Sequence, residues 1–93
     1  MIVKQTSIFK RHVKKLHKQE KAELDEVVRE IISDPSLGEM KVGDLAGVQV
    51  FKYKHNTQLY LLAYEYVENE LVLTLIDQGT HENFYRDLKT NRI

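Results

Sequence analysis

The chain has no cysteine, one proline and no net charge at neutral pH. Without cysteine there is neither a disulfide framework nor a thiolate metal site, so a fold of 93 residues must hold together by packing alone. No apolar run approaches the roughly 20 residues that span a bilayer, and Met1 to Thr6 lack the apolar core of a secretory signal. A cytoplasmic protein is expected. Repeats, low-complexity tracts and linkers are also missing, and 93 residues leave room for a single domain, 1–93. What is present is a globular balance, 42% hydrophobic and 30% charged, which excludes a disordered chain.

The zero net charge hides a gradient. Residues 1–21 carry seven Lys/Arg against Glu20 alone, whereas residues 22–50 carry two against seven acids. A basic first helix can face phosphates, an acidic partner or water.

Ile2 to Thr6 read as a short strand, and Thr6 or Ser7 can cap the helix that follows. Ile8, Phe9, His12, Val13 and Leu16 form one helical stripe, with Lys10, Arg11, Lys14 and Lys15 largely opposite. A second stripe runs through Leu24, Val27, Val28, Ile31 and Ile32, and Asp34-Pro35 ends it because the residue before proline is pushed out of helical geometry. Two stripes over one sheet predict a helical hairpin. Gly38, Gly43 and Gly47 mark a loop, after which the period changes to two. Three alternating strands are predicted at Val48–His55, Leu59–Val67 and Leu71–Asp77, joined by hairpins into an antiparallel meander. In the middle strand Tyr60, Leu62, Tyr64 and Tyr66 share one face, and Leu59, Leu61, Ala63 and Val67 the other. The expected fold is α+β, in the order β-α-α-β-β-β, with a curved antiparallel sheet packed by the hairpin and a short helical tail from His81.

Three stretches in this order carry a family resemblance. They are Asp44-Leu45-Ala46-Gly47 before the sheet, Phe51 to Lys54 with Tyr60 to Tyr66 as paired central strands, and Leu75 to Tyr85 as the closing strand and corner. Over nearly its whole length the chain resembles the RelE/ParE toxins of type II toxin–antitoxin systems. That resemblance implies a growth-arresting protein held silent by a cognate antitoxin. Many members cut messenger RNA on the ribosome; others poison DNA gyrase.

Cleavage of RNA by its own 2′-hydroxyl needs a base, cations for the phosphorane charge, and an acid for the leaving 5′-oxygen. His81 is the candidate acid or base, since imidazole titrates near working pH. Lys52 and Lys54, two apart on one strand, can grip a phosphate, and the family's nucleases keep a similar basic pair; the plainer role is to guard an exposed strand. Tyr85, four after His81, can stack on a base. Arg86 is a possible phosphate ligand, and Lys10, Arg11 and Lys14 form the basic helix face. Glu65 is a weaker candidate base, more simply an ordinary strand residue. The histidines show no metal-ligand spacing, so no metal or cofactor is expected. His12, on the apolar stripe, reads as a core-edge side chain.

Two departures bear on mechanism. Family nucleases often carry an arginine after the central-strand tyrosine, where this chain has Tyr60-Leu61, and ribosome-directed members are strongly basic. A ribosome-dependent mRNA endonuclease is the leading expectation, with the ribosome and mRNA as partners. The alternatives are a non-nucleolytic gyrase poison and an inactive, antitoxin-binding member of the fold.

Overall fold

Thr6 does two jobs at the first strand-to-helix turn. Its Oγ1 accepts the amide of Phe9 at 3.0 Å, capping the helix, and donates to the Ile76 carbonyl at 2.5 Å, tying that helix end to a strand 70 residues away. In this computed structural model, which describes residues 1–81, 84, 85 and 88, the order is β1 (Ile2–Gln5), α1 (Ser7–Lys14), α2 (Lys18–Ser33), β2 (Glu39–Met40), a 3-10 turn (Gly43–Leu45), β3 (Gln49–His55), β4 (Gln58–Val67) and β5 (Val72–Thr80). The helical stripe does break between α1 and α2, as a hairpin requires. Glu20 Oε1 accepts the His17 amide at 2.9 Å and restarts the helix there.

The sheet order is β1-β5-β4-β3-β2. β3, β4 and β5 form the predicted meander, while β1 lies parallel to β5, with Ile2 opposite Val72 and Gln5 opposite Leu75. The sheet is therefore mixed rather than wholly antiparallel. Two further differences matter for the site. β2 lies in the stretch that reads as a loop, pairing Glu39 with Val50 and Met40 with Gln49. β5 does not stop at Asp77; its pairing with Tyr60, Leu61 and Leu62 carries it through Gln78 and Gly79 to Thr80.

Strand alternation divides the core in two. On the helix side, Leu62, Tyr64, Leu73 and Leu75 pack with Phe9, Leu24, Val27 and Ile31. On the other side, Leu61, Ala63, Val48, Val50 and Leu45 pack with Phe84 and Leu88 of the tail. Phe84, Tyr85 and Leu88 have helical backbone, and the tail's buried pair roofs the second face. Each such large apolar side chain contributes roughly 1.5–3 kcal/mol on burial, so Phe84 and Leu88 are structural parts of the domain. Among the described residues no helix is long and apolar enough to cross a membrane.

Candidate nucleolytic face

The second face of the sheet gathers the candidate side chains. Val50 belongs to its core, and alternation along β3 puts Lys52 and Lys54 on the same side, both exposed. Across the sheet Lys52 stands opposite Leu61, and Leu61 opposite Gly79. Two interstrand steps of 4.7–4.9 Å put the Lys52 and Gly79 backbones about 10 Å apart. His81 follows β5 by one residue and is exposed. Its carbonyl accepts the Phe84 amide at 3.4 Å, turning the chain back over the face. The turn brings the His81 and Tyr85 rings edge to face, 6.3 Å between centroids and 83° between planes. Phe84, buried beneath, meets Tyr85 at 5.4 Å and fixes its tilt.

Lys41 and Glu39 complete the face, and neither stands out in the sequence. The Lys41 ammonium lies 5.2 Å from the centre of the Tyr85 ring and donates to Glu39 Oε1 at 3.0 Å. That hydrogen bond, followed by the charge of Lys41 and more weakly that of Lys52, holds the Glu39 carboxyl below its ordinary range. The Lys41 ammonium is correspondingly pushed up, first by Glu39 and then, against desolvation, by Tyr85. A cleft of about 380 Å³ opens between Glu39, Lys41, Leu45 and Tyr85. The signal that could have found them is their own two-residue spacing between Gly38 and Gly43, the same i, i+2 relation as in Lys52 and Lys54.

The other candidates do not join this face. Lys10, Arg11 and Lys14 are exposed on α1, whose Phe9 and Val13 pack against the opposite side of the sheet. Arg86 lies outside the described residues. Glu65, half-buried, pairs with Thr74 in mid-strand. Leu61, where family nucleases often place an arginine, is fully buried in the core under Phe84 and Leu88. Beyond Val50 no strand pairs with the outer edge of β3 among the described residues, so Lys52 and Lys54 also border an open edge. His12, expected at the rim of the core, is there, with Nδ1 2.6 Å from Asp77 Oδ1.

The chain is an α+β domain with a helical hairpin on one face of a five-stranded sheet, and cationic and imidazole side chains on the other. The chain belongs to the family of ParE-like toxins of type II bacterial toxin–antitoxin systems, whose family model matches residues 3–89. Solved structures of this shape include an E. coli RelE toxin in the free state, with two arginines replaced by alanine (TM-score 0.76, 17% identity, covering 99% of this chain and 96% of that one). The intact E. coli RelBE toxin–antitoxin complex matches with TM-score 0.70 and 18% identity, covering 87% and 96%. A RelBE toxin–antitoxin complex from Mycobacterium tuberculosis matches with TM-score 0.69 and 20% identity, covering 86% and 96%. No curated protein sequence matches significantly.

Proposed function

We propose that this toxin is a ribosome-dependent mRNA endonuclease whose active face is built by His81, Tyr85, Lys52 and Lys54, together with Lys41 and Glu39. The observation that carries it is the unbroken line from His81 through Tyr85 and Lys41 to Glu39, within the field of Lys52, on one side of the sheet. Each group matches a demand of the reaction. Glu39, ionised beside Lys41, accepts the proton of the 2′-hydroxyl as it attacks the phosphorus. Lys52, Lys54 and Lys41 offset the charge that builds on the phosphorane oxygens. His81 protonates the departing 5′-oxygen, leaving a 2′,3′-cyclic phosphate. Tyr85 offers a ring face or edge for a base to stack on. Lys10, Arg11, Lys14 and Arg86 supply cationic contacts to RNA beyond the reacting phosphate.

A cognate antitoxin is the expected regulator, and the similar structures solved with antitoxins support that partnership. Poisoning of gyrase without RNA cleavage is favoured by a single observation, the burial of Leu61 where a phosphate-clamping arginine would stand.

Induction of the chain without a partner, with mapping of new mRNA 5′ ends, tests the choice. Cuts phased to codons and absent with His81→Ala support the nuclease. Growth arrest with DNA-damage signalling and no cuts supports gyrase, and normal growth with soluble protein supports an inactive antitoxin binder.

A further inference from the structure

His12 and Asp77, 65 residues apart, make a polar pair that the mechanism above does not use. The Asp77 carboxylate is buried, and its Oδ1 accepts the Gln78 amide at 2.7 Å as well as lying 2.6 Å from His12 Nδ1. Nδ1 also lies 3.2 Å from the Gln78 carbonyl oxygen. Both neighbours of Nδ1 are acceptors, so Nδ1 carries the proton and, in the neutral ring, Nε2 presents a lone pair. Among the described residues Nε2 has no hydrogen-bond partner, and the half-buried ring lines a cleft of about 240 Å³ with Lys15, Gly79, Thr80 and Phe84. That is smaller than the ~300–1,000 Å³ of sites for whole drug-sized ligands, and suits one sugar–phosphate unit.

The wall of the cleft supplies a donor as well. β1 pairs with β5 only as far as Leu75. Beyond it, the amide and carbonyl of Gln78 both turn outward, to Asp77 and His12. Backbone groups of alternate strand residues point to the same edge, so the amide of Thr80 turns to that edge too, and Thr80 and Lys15 both line the cleft. The lining of one cleft therefore includes a hydroxyl acceptor, His12 Nε2, and two donors suited to an anion.

We propose that this cleft is an RNA subsite in which His12 Nε2 accepts a ribose 2′-hydroxyl while Lys15 and the Thr80 amide hold the adjoining 3′-phosphate. Asp77 is a positioning residue that sets the tautomer. Because Thr80 immediately precedes His81, the subsite would take a ribose next to the reacting one and distinguish RNA from DNA. Its place in catalysis rests on the nuclease reading; its ligand chemistry does not.

The test is an NMR titration of the labelled full chain with uridine 3′-monophosphate, 2′-deoxyuridine 3′-monophosphate, inorganic phosphate and a short RNA. The expected result is saturable shifts at the His12 ring and Thr80 amide, with the ribonucleotide about tenfold tighter than its deoxy analogue, the worth of one net hydrogen bond. His12→Phe should erase that preference. Lys15→Gln, at an exposed position that leaves the dyad intact, should weaken both nucleotides equally. Equal affinity for the two sugars in the unsubstituted chain, or shifts that miss His12 and Thr80, would overturn the subsite. RNA bound no tighter than the mononucleotide would overturn its place beside His81. A sugar preference that persists in a chain producing no mRNA cuts would retire the nuclease and leave the subsite standing.

Discussion

The Gly38 amide donates to the Tyr64 hydroxyl at 2.8 Å, and a methyl group on Gly38 would lie 2.6 Å from that oxygen. The same hydroxyl donates to the Pro35 carbonyl at 2.7 Å, and Gln49 Nε2 bridges Pro35 and Gly38 from the next strand. This buried knot leads straight into β2, so it sets where Glu39 and Lys41 stand. Gly38→Ala is expected to destabilise the fold by about 1–3 kcal/mol through overpacking. Tyr64→Phe should cost about 1–3 kcal/mol through the groups it leaves unpaired. Urea unfolding measures both.

Alkaline unfolding should report on Tyr53. Burial pushes its phenol up to about 12, against the smaller opposing effect of the Gln78 side-chain hydrogen bond at 2.9 Å. A folded pKa above the unfolded value of about 10 makes the contribution fully present below pH 10, and it is lost as pH rises towards 12. On the order of 2 kcal/mol is at stake. Denaturation at pH 9 and pH 11.5 should show a drop that Tyr53→Phe reduces.

Leu61 tests whether the missing arginine can simply be put back. The side chain is fully buried between Phe84, Leu88 and the sheet. Leu61→Ala should cost about 2–5 kcal/mol, and Leu61→Arg at least as much, since it buries an unpaired charge. Thermal melts of both variants check this. A stable Leu61→Arg protein would mean that the tail lifts readily from the face.

Glu39→Gln separates chemistry from folding. The carboxylate is exposed and pairs with Lys41, so stability should move by less than about 0.5 kcal/mol. Loss of a general base should lower mRNA cleavage by about a hundredfold. Cleavage unchanged in Glu39→Gln, read from 5′-end yields, would remove Glu39 from the mechanism.

Lys52 and Lys54 should also matter for silencing. If an acidic antitoxin segment occupies the phosphate position, Lys52→Ala with Lys54→Ala weakens the complex and flattens its salt dependence. Calorimetry at two salt concentrations decides it. Full antitoxin affinity in the double variant would place these lysines outside the interface.

Much of this protein is legible along the chain because its causes are local. The Thr6 cap, the stripes through Phe9 and Val13 and through Leu24, Val27 and Ile31, and the alternation of Tyr60 to Tyr66 depend on helical and strand periods alone. So does the His81–Tyr85 spacing, which becomes a ring contact where the Phe84 amide bonds back to the His81 carbonyl. Leu61, too, announced by its apolar side chain that no arginine clamp stands there. Other features exist only through contacts across long sequence separations. Gln78, Gly79 and Thr80 become strand because Tyr60 to Leu62 pair with them. β1 becomes parallel because Leu71 to Leu75 offer it an edge. Glu39 and Lys41 become part of a site because Tyr64 and Gln49 anchor the loop before them and Tyr85 arrives from the tail. His12 finds Asp77 for the same reason. Periodicity states which face a residue turns towards; only the packed chain, by satisfying buried polar groups from distant segments, decides what it meets there.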